Sequence, residues 1–152
     1  MRWLALAMLV GCAEPTGLGA ASTTAYPSAA SATVVVANAS TGLVDFRVWS
    51  IEIGESPSGT DCKNRGDALV IFDVYTQLSS APRGVIPLTL EVPPILFPAM
   101  TVHYANGSAL SGDMVIDAAS TTRILGTFIG DANIEGVSTR VEASFDAPTC
   151  GL

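Results

Sequence analysis

Residues 137–146 read VSTRVEASFD and alternate cleanly between apolar and polar positions. They lie on two faces, with Val137, Thr139, Val141, Ala143 and Phe145 on one and Ser138, Arg140, Glu142, Ser144 and Asp146 on the other. A period of two predicts a β-strand with one buried and one solvated face. Residues 122–129 predict a partner strand, and Asp131-Ala132-Asn133 predict the turn between the two, so the chain ends in a β-hairpin.

Upstream of this hairpin, runs rich in β-branched and aromatic residues are separated by turn signals such as Asn106-Gly107. Strands are predicted at residues 33–36, 43–53, 68–76, 84–92, 99–104 and 113–117. No stretch after the first twelve residues has a helical period. The sequence therefore predicts an all-β domain over residues 33–152. We expect an antiparallel β-sandwich, or a small open barrel, of about 7–9 strands.

Two features of this domain leave alternatives open. The apolar face of residues 43–53 changes sides near Val48–Ser50, which predicts either a β-bulge or burial on both faces. Residues 92–98 read VPPILFP, an apolar segment stiffened by proline. We expect it to pack under a loop, and the alternative is an exposed patch that binds a partner or touches a membrane.

Composition and charge exclude several classes of function. The 152 residues carry a net charge of −7, so the chain lacks the basic clusters that bind nucleic acid. With 14% charged and 49% hydrophobic residues, the chain is too apolar to be intrinsically disordered. The single histidine, His103, excludes a metal site built on two or more histidines.

The chain opens with residues 1–12, MRWLALAMLVGC. A positive charge at Arg2 precedes an apolar run over residues 3–10. This run is too short for a transmembrane helix, which needs about 20 residues. It has the length of the hydrophobic region of a secretory signal peptide.

The residues Leu9-Val10-Gly11-Cys12 resemble the lipobox of bacterial lipoprotein precursors. The resemblance implies that residues 1–11 are a helical signal peptide, cleaved by signal peptidase II. Cys12 would then carry a diacylglycerol thioether and an acyl chain such as palmitate on its amine. The implied location is the cell envelope, with the membrane as partner through the lipid anchor. Ala13, where an aspartate often retains such proteins at the inner membrane, favours the outer membrane.

Residues 13–32 predict a flexible tether between the lipid and the domain. Seventeen of these twenty residues are Ala, Ser, Thr, Gly or Pro. Such a segment cannot bury enough apolar area to offset its ordering entropy. With the lipidated cysteine included, the tether is predicted to span residues 12–32.

If Cys12 is lipidated, Cys62 and Cys150 remain, and export places both in an oxidising compartment. We expect them to form a disulfide, and the alternative is two free thiols. The bridge would close a loop of 89 residues, counting 62 to 150 inclusive. Such a bridge contributes about 4–5 kcal/mol by the chain-entropy model.

No motif in the sequence predicts catalysis, and we expect no catalytic residue, metal ligand or cofactor. His103 is predicted to face solvent, and no nucleophile elbow is present. The carboxylates could form only weak candidates: a calcium site from Asp113, Asp117 and Asp131, which lack calcium-loop spacing, and a glycosidase pair from Glu135 and Glu142.

The whole chain is loosely similar to small lipoproteins of Gram-negative envelopes, in which a short tether precedes one β-sandwich. Our first hypothesis is a non-enzymatic protein whose domain has a structural role or binds an envelope protein or ligand through loops or a sheet face. The second is a carrier of a small apolar ligand, in a barrel cavity lined by Trp49, Phe72 and Phe128. The third is a hydrolase, which requires carboxylates converging on His103.

Overall fold

The computed structural model describes residues 18–55, 67–91, 94 and 96–150. The predicted signal peptide, Cys12 and Cys62 lie outside these residues. The described part forms nine strands and no helix: β1 (Ala20–Thr23), β2 (Ser31–Ser40), β3 (Asp45–Gly54), β4 (Ala68–Gln77), β5 (Gly84–Pro87), β6 (Ala99–Tyr104), β7 (Gly107–Ala119), β8 (Arg123–Ile134) and β9 (Val137–Cys150). A search of the described residues for a helix able to cross a bilayer found none.

The strands lie in the order β5-β7-β6-β4-β3-β2-β1-β9-β8, and β8 also pairs with β7. The pairing of β8 with β7 closes eight strands into a barrel. β6 pairs with β7 only near their shared turn, and β5 pairs with the same edge of β7 farther along. Neighbouring strands are antiparallel, except that β2 and β9 also form two parallel pairs next to the short β1. The prediction of an all-β fold is confirmed, and the architecture is the small barrel, in closed form.

Large side chains fill the interior of the barrel. Those with 2% exposure or less include Trp49, Phe72, Phe128 and Phe145. The ring centroid of Phe72 lies 4.9 Å from that of Phe128 and 6.4 Å from that of Phe145. Glycines on β8 make room for these rings: a Cβ at Gly126 would lie 2.9 Å from Cζ of Phe145, and a Cβ at Gly130 would collide with the Phe128 ring. Since a barrel of eight strands encloses little more than its own side chains, this core is solid.

The C-terminal hairpin is longer than predicted, and its turn lies elsewhere. Residues 131–133 continue β8 and pair with residues 138–140 of β9, so the predicted turn there is wrong. The turn is formed by Glu135 and Gly136, with φ of 52° and 84°. Two successive positive φ values are those of a type I′ turn, whose twist matches that of the strands it joins.

The predicted flexible tether over residues 12–32 is wrong for the part that the structure describes. Residues 20–23 form β1, which pairs with β9 from Ala20–Asp146 to Thr23–Ala143. Small residues suit this place, because Ala21 and Ala29 are buried in the core. The small residues that suggest disorder instead form the short strand β1, which lies between β2 and β9.

Asp146 is buried, although the alternation of residues 137–146 predicts that it faces solvent. Asp146 is 2% exposed and accepts two hydrogen bonds from Arg123, each 2.6 Å long, from Nε and Nη2. Burying a charged carboxylate costs free energy unless it is paired. The planar guanidinium of Arg123 supplies a hydrogen-bond donor to each oxygen of Asp146. The pair therefore joins β8 to β9 next to the place where β1 begins.

The change of apolar face in β3 reflects burial on both faces. The pairing of β3 with β2 is continuous, so no bulge interrupts it there. Phe46 lies on the outer face, where its ring centroid is 5.9 Å from that of Tyr75 and 5.8 Å from that of Phe97.

Of the segment 92–98, only Pro94 and residues 96–98 are described. Phe97 packs on the barrel as expected, while Leu96 is exposed.

Candidate functional site

A seam opens in the barrel wall between β6 and β7. These strands share only two residue pairs, next to their hairpin turn. Farther along, β7 pairs with β5 instead. The segment after β5 crosses the gap, because the N–H of Leu88 donates to the carbonyl of Gly112 at 2.9 Å and the N–H of Thr89 donates to the carbonyl of Met100 at 2.7 Å. The wall is joined here by a single crossing segment.

Beside this segment lies the seam groove, an open cleft of about 280 Å³ on the outside of the barrel. It is lined by Leu88, Thr89, Leu90, Thr101, Val102, His103, Tyr104, Gly107, Ser108 and Ala109. Leu90 is 77% exposed, so a large apolar side chain stands in water at its edge. Hydrophobic walls with a few polar groups are typical of binding sites.

A polar cluster adjoins the groove on the outer face. Asp73 of β4 pairs with Ser50 of β3 on one side and with Thr101 of β6 on the other, so the three side chains share that face. The Ser50 hydroxyl donates to Oδ1 of Asp73 at 2.5 Å. Nε2 of His103 lies 3.4 Å from Oδ2 of Asp73. Asp73 thus holds a serine on one oxygen and a histidine on the other.

This order of groups does not activate a nucleophile. In a Ser-His-Asp triad the imidazole lies between serine and carboxylate, where it removes the hydroxyl proton. Here the carboxylate lies between Ser50 and His103, so Ser50 donates to a carboxylate. Among the hydrogen bonds of the described residues, none joins His103 to a serine. The His103 side chain is 59% exposed, which confirms the predicted solvent-facing histidine. The cluster can donate and accept hydrogen bonds, and it carries a negative charge beside an apolar groove.

The residues predicted to line a carrier cavity lie in the packed core. Trp49, Phe72 and Phe128 contact other side chains, and Phe72 and Phe128 have no surface that a water molecule could touch. Nε1 of Trp49 donates to the hydroxyl of Thr76 at 3.0 Å. The carrier hypothesis requires space next to these rings, and the packing leaves none there.

None of the weak carboxylate candidates lines the seam groove. Asp131 contacts Ser111 and Arg140, and Glu135 accepts a hydrogen bond from Nδ2 of Asn106 at 3.1 Å. No group of three or more His, Cys, Asp or Glu side chains that could hold a metal ion occurs among the described residues. Cys150 ends β9, and its predicted partner Cys62 is outside the described part.

Sequence reasoning missed both the groove and the cluster. The signal for the cluster was Asp73, the only charged residue in the apolar stretch 68–76. Its partners come from β3 and β6, at sequence distances of 23 and 30 residues (73 − 50 and 103 − 73). The pattern of residues within one strand cannot predict how that strand aligns with its neighbours. The groove depends on where β6 leaves β7, which is a property of the closed barrel.

Comparisons with known proteins identify no relative. The chain matches no family model, no curated protein and no solved structure.

Two buried tyrosines next to these features differ in their hydrogen bonds. The hydroxyl of Tyr75 lies 3.2 Å from Oγ1 of Thr101, the neighbour of Asp73. The hydroxyl of Tyr104 has no partner among the described residues. Burial raises the pKa of both side chains above the ordinary value of 10.0, so both are neutral at physiological pH. A buried unpaired hydroxyl costs free energy that a phenylalanine would not.

We therefore expect opposite results from two matched substitutions. Tyr75→Phe leaves the Thr101 hydroxyl without its partner and should lower the free energy of unfolding by about 1 kcal/mol. Tyr104→Phe removes an unpaired group and should leave that free energy unchanged or raise it. Urea unfolding at neutral pH measures both. Equal losses would contradict the unpaired state of the Tyr104 hydroxyl.

Proposed function

We propose that the protein is a lipid-anchored component of the bacterial cell envelope, held in the outer membrane, whose barrel domain binds a partner without catalysis. The anchor is supported by the order of residues 1–12: a positive charge, a short apolar run and the lipobox ending in Cys12. Two or three acyl chains at one cysteine bind a membrane stably, whereas a single chain binds only weakly.

The role of the domain rests on one observation, the placement of Asp73 between Ser50 and His103 beside an apolar groove. This arrangement offers hydrogen-bonding groups and an apolar surface, and it lacks the serine–histidine contact by which a serine hydrolase activates its nucleophile. The filled interior supports the same conclusion, because any ligand has to bind on the outer surface. The seam groove is the proposed binding site, for an envelope protein or ligand with an apolar side chain next to a hydrogen-bonding group.

The anchor is tested by metabolic labelling of growing cells with radioactive palmitate. The wild-type chain should incorporate the label, and Cys12→Ala should not, because the lipid is attached through residue 12. Cys62→Ser is the matched control and should be labelled like the wild type. Equal labelling of Cys12→Ala would refute the anchor.

We also propose a disulfide between Cys62 and Cys150. Cys150 is 9% exposed at the end of β9, beside Val35 of β2, so a bridge there would fix the C-terminal strand. Mass spectrometry without reduction should detect a peptide that contains both cysteines. Alkylation of both thiols in the unreduced protein would show that the bridge is absent.

The groove is tested with a photocrosslinking amino acid at Leu90, in intact cells. We expect an adduct of defined mass at this position and none at Val137, which is comparably exposed at the β8–β9 turn. Ser108→Arg places a long side chain in the groove and should abolish the adduct at position 90. The proposed site is wrong if no adduct forms there, or if Ser108→Arg leaves it unchanged.

A further inference from the structure

One end of the barrel collects turns and strand ends that carry exposed leucines. The turn between β2 and β3 lies at this end, and the register places the end of β4 and the start of β6 beside it, through the pairs Phe46–Gln77 and Tyr75–Ala99. β1 runs in the same direction as β3 and β6, away from this end, and begins beside Ser31 in the first part of β2. The chain therefore approaches β1 from the direction of this end. We call this end the entry rim.

The entry rim exposes large apolar side chains. Leu43 is 94% exposed in the β2–β3 turn, and Val44 beside it is 51% exposed. Leu96 is 78% exposed just before β6, and Leu78 follows the end of β4. The backbone at Leu96 is held against the barrel, because the neighbouring Phe97 stacks on Phe46. Exposed apolar groups gathered at one end of a domain mark an interaction surface.

Charge is also divided between the two ends. The described residues contain four arginines, and three of them lie near the entry rim: Arg47 in β3, Arg83 before β5 and Arg123 at the start of β8. The fourth, Arg140, pairs with Asp131 farther along the barrel. Carboxylates are concentrated toward the other end, at Glu52, Glu55, Asp67, Asp131, Glu135 and Glu142. The entry rim has fewer: Asp45 at the start of β3 and Asp117 near the end of β7, with Asp146 paired to Arg123. Although the whole chain is acidic, its apolar end also carries most of these cations.

The length of chain before the barrel limits how far the start of β1 can be from a lipid on Cys12. Gly19 is held by its N–H, which donates to the carbonyl of Asp146 at 2.6 Å. The seven residue steps from 12 to 19 span at most about 25 Å when fully extended. A lipid at Cys12 therefore keeps Gly19 within that distance of the bilayer surface. Gly19 lies beside Ala32, nine residues (41 − 32) before Thr41 in the turn of the entry rim, and the chain reaches Gly19 from the direction of that rim.

We propose that the entry rim docks on the bilayer that carries the lipid of Cys12. Leu43, Val44 and Leu96 enter the interface, and Arg47 and Arg83 face the lipid phosphates. Apolar side chains on a peripheral protein enter the boundary between headgroups and acyl chains to a depth of about 5–10 Å, and basic groups add attraction to anionic lipids. This inference rests on the proposed anchor.

The test places a tryptophan at each end of the lipidated full-length protein. Leu43→Trp reports the entry rim, and Val137→Trp is the control at the opposite end. The native Trp49 is buried and gives the common background. The proteins are reconstituted in vesicles of phosphatidylethanolamine and phosphatidylglycerol with brominated acyl chains, which quench tryptophan on contact. Leu43→Trp should lose more fluorescence than Val137→Trp, whose quenching should equal that of the wild type.

Palmitate labelling and tryptophan quenching together distinguish failure of the docking from failure of the anchor. Palmitate label with equal quenching at positions 43 and 137 overturns the docking and leaves the anchor standing. Absence of label refutes the anchor, and the docking inference falls with it. Leu96→Trp provides a second reporter on the same rim in case Leu43→Trp does not fold. A rim that binds another protein instead would leave both reporters unquenched and would also refute the proposal.

Discussion

Closure of the sheet by the ladder between β7 and β8 is the constraint on which the rest of the structure depends. It fixes the number of strands in the ring, and the ring fixes the space inside. That space is filled by aromatic rings, which fit because β8 carries Gly126 and Gly130 opposite them. A closed and filled barrel offers no interior site next to those rings. Recognition is therefore left to the outer wall and to the two ends.

Closure also explains the two shortest strands. A ring has to join strands of unequal length, and β1 and β5, with four residues each, lie where longer strands diverge. β1 fills the place where β2 and β9 separate, and Ala20 pairs there with Asp146, whose carboxylate accepts hydrogen bonds from Arg123 of β8. β5 takes over the edge of β7 where β6 leaves it, and the seam groove remains between them. The groove is thus a consequence of how the barrel closes.

Local sequence patterns predicted at least part of every strand except β1, but not the contacts between the strands. Alternation identified β9, and β-branched runs identified β2 to β4, because burial of one or both faces is a local property. The turn at residues 131–133 was mispredicted because Asp and Asn favour turns only where no partner strand extends, and here β9 pairs with them. Residues 20–23 have no apolar period of their own, and they form a strand because they pair with β9. The Asp73 cluster likewise depends on the register of three strands.

The two proposed surfaces are compatible because they occupy different parts of the barrel. The seam groove lies on the side wall, at the hairpin end of β6, whereas the entry rim lies at the start of β6. In the proposed docking, anionic headgroups would attract Arg47 and Arg83 at the rim and repel the carboxylates of the far end. The β8–β9 hairpin would then point away from the bilayer, and the groove would open sideways above it. A partner could then reach His103 and Leu90 without displacing the barrel from the lipid.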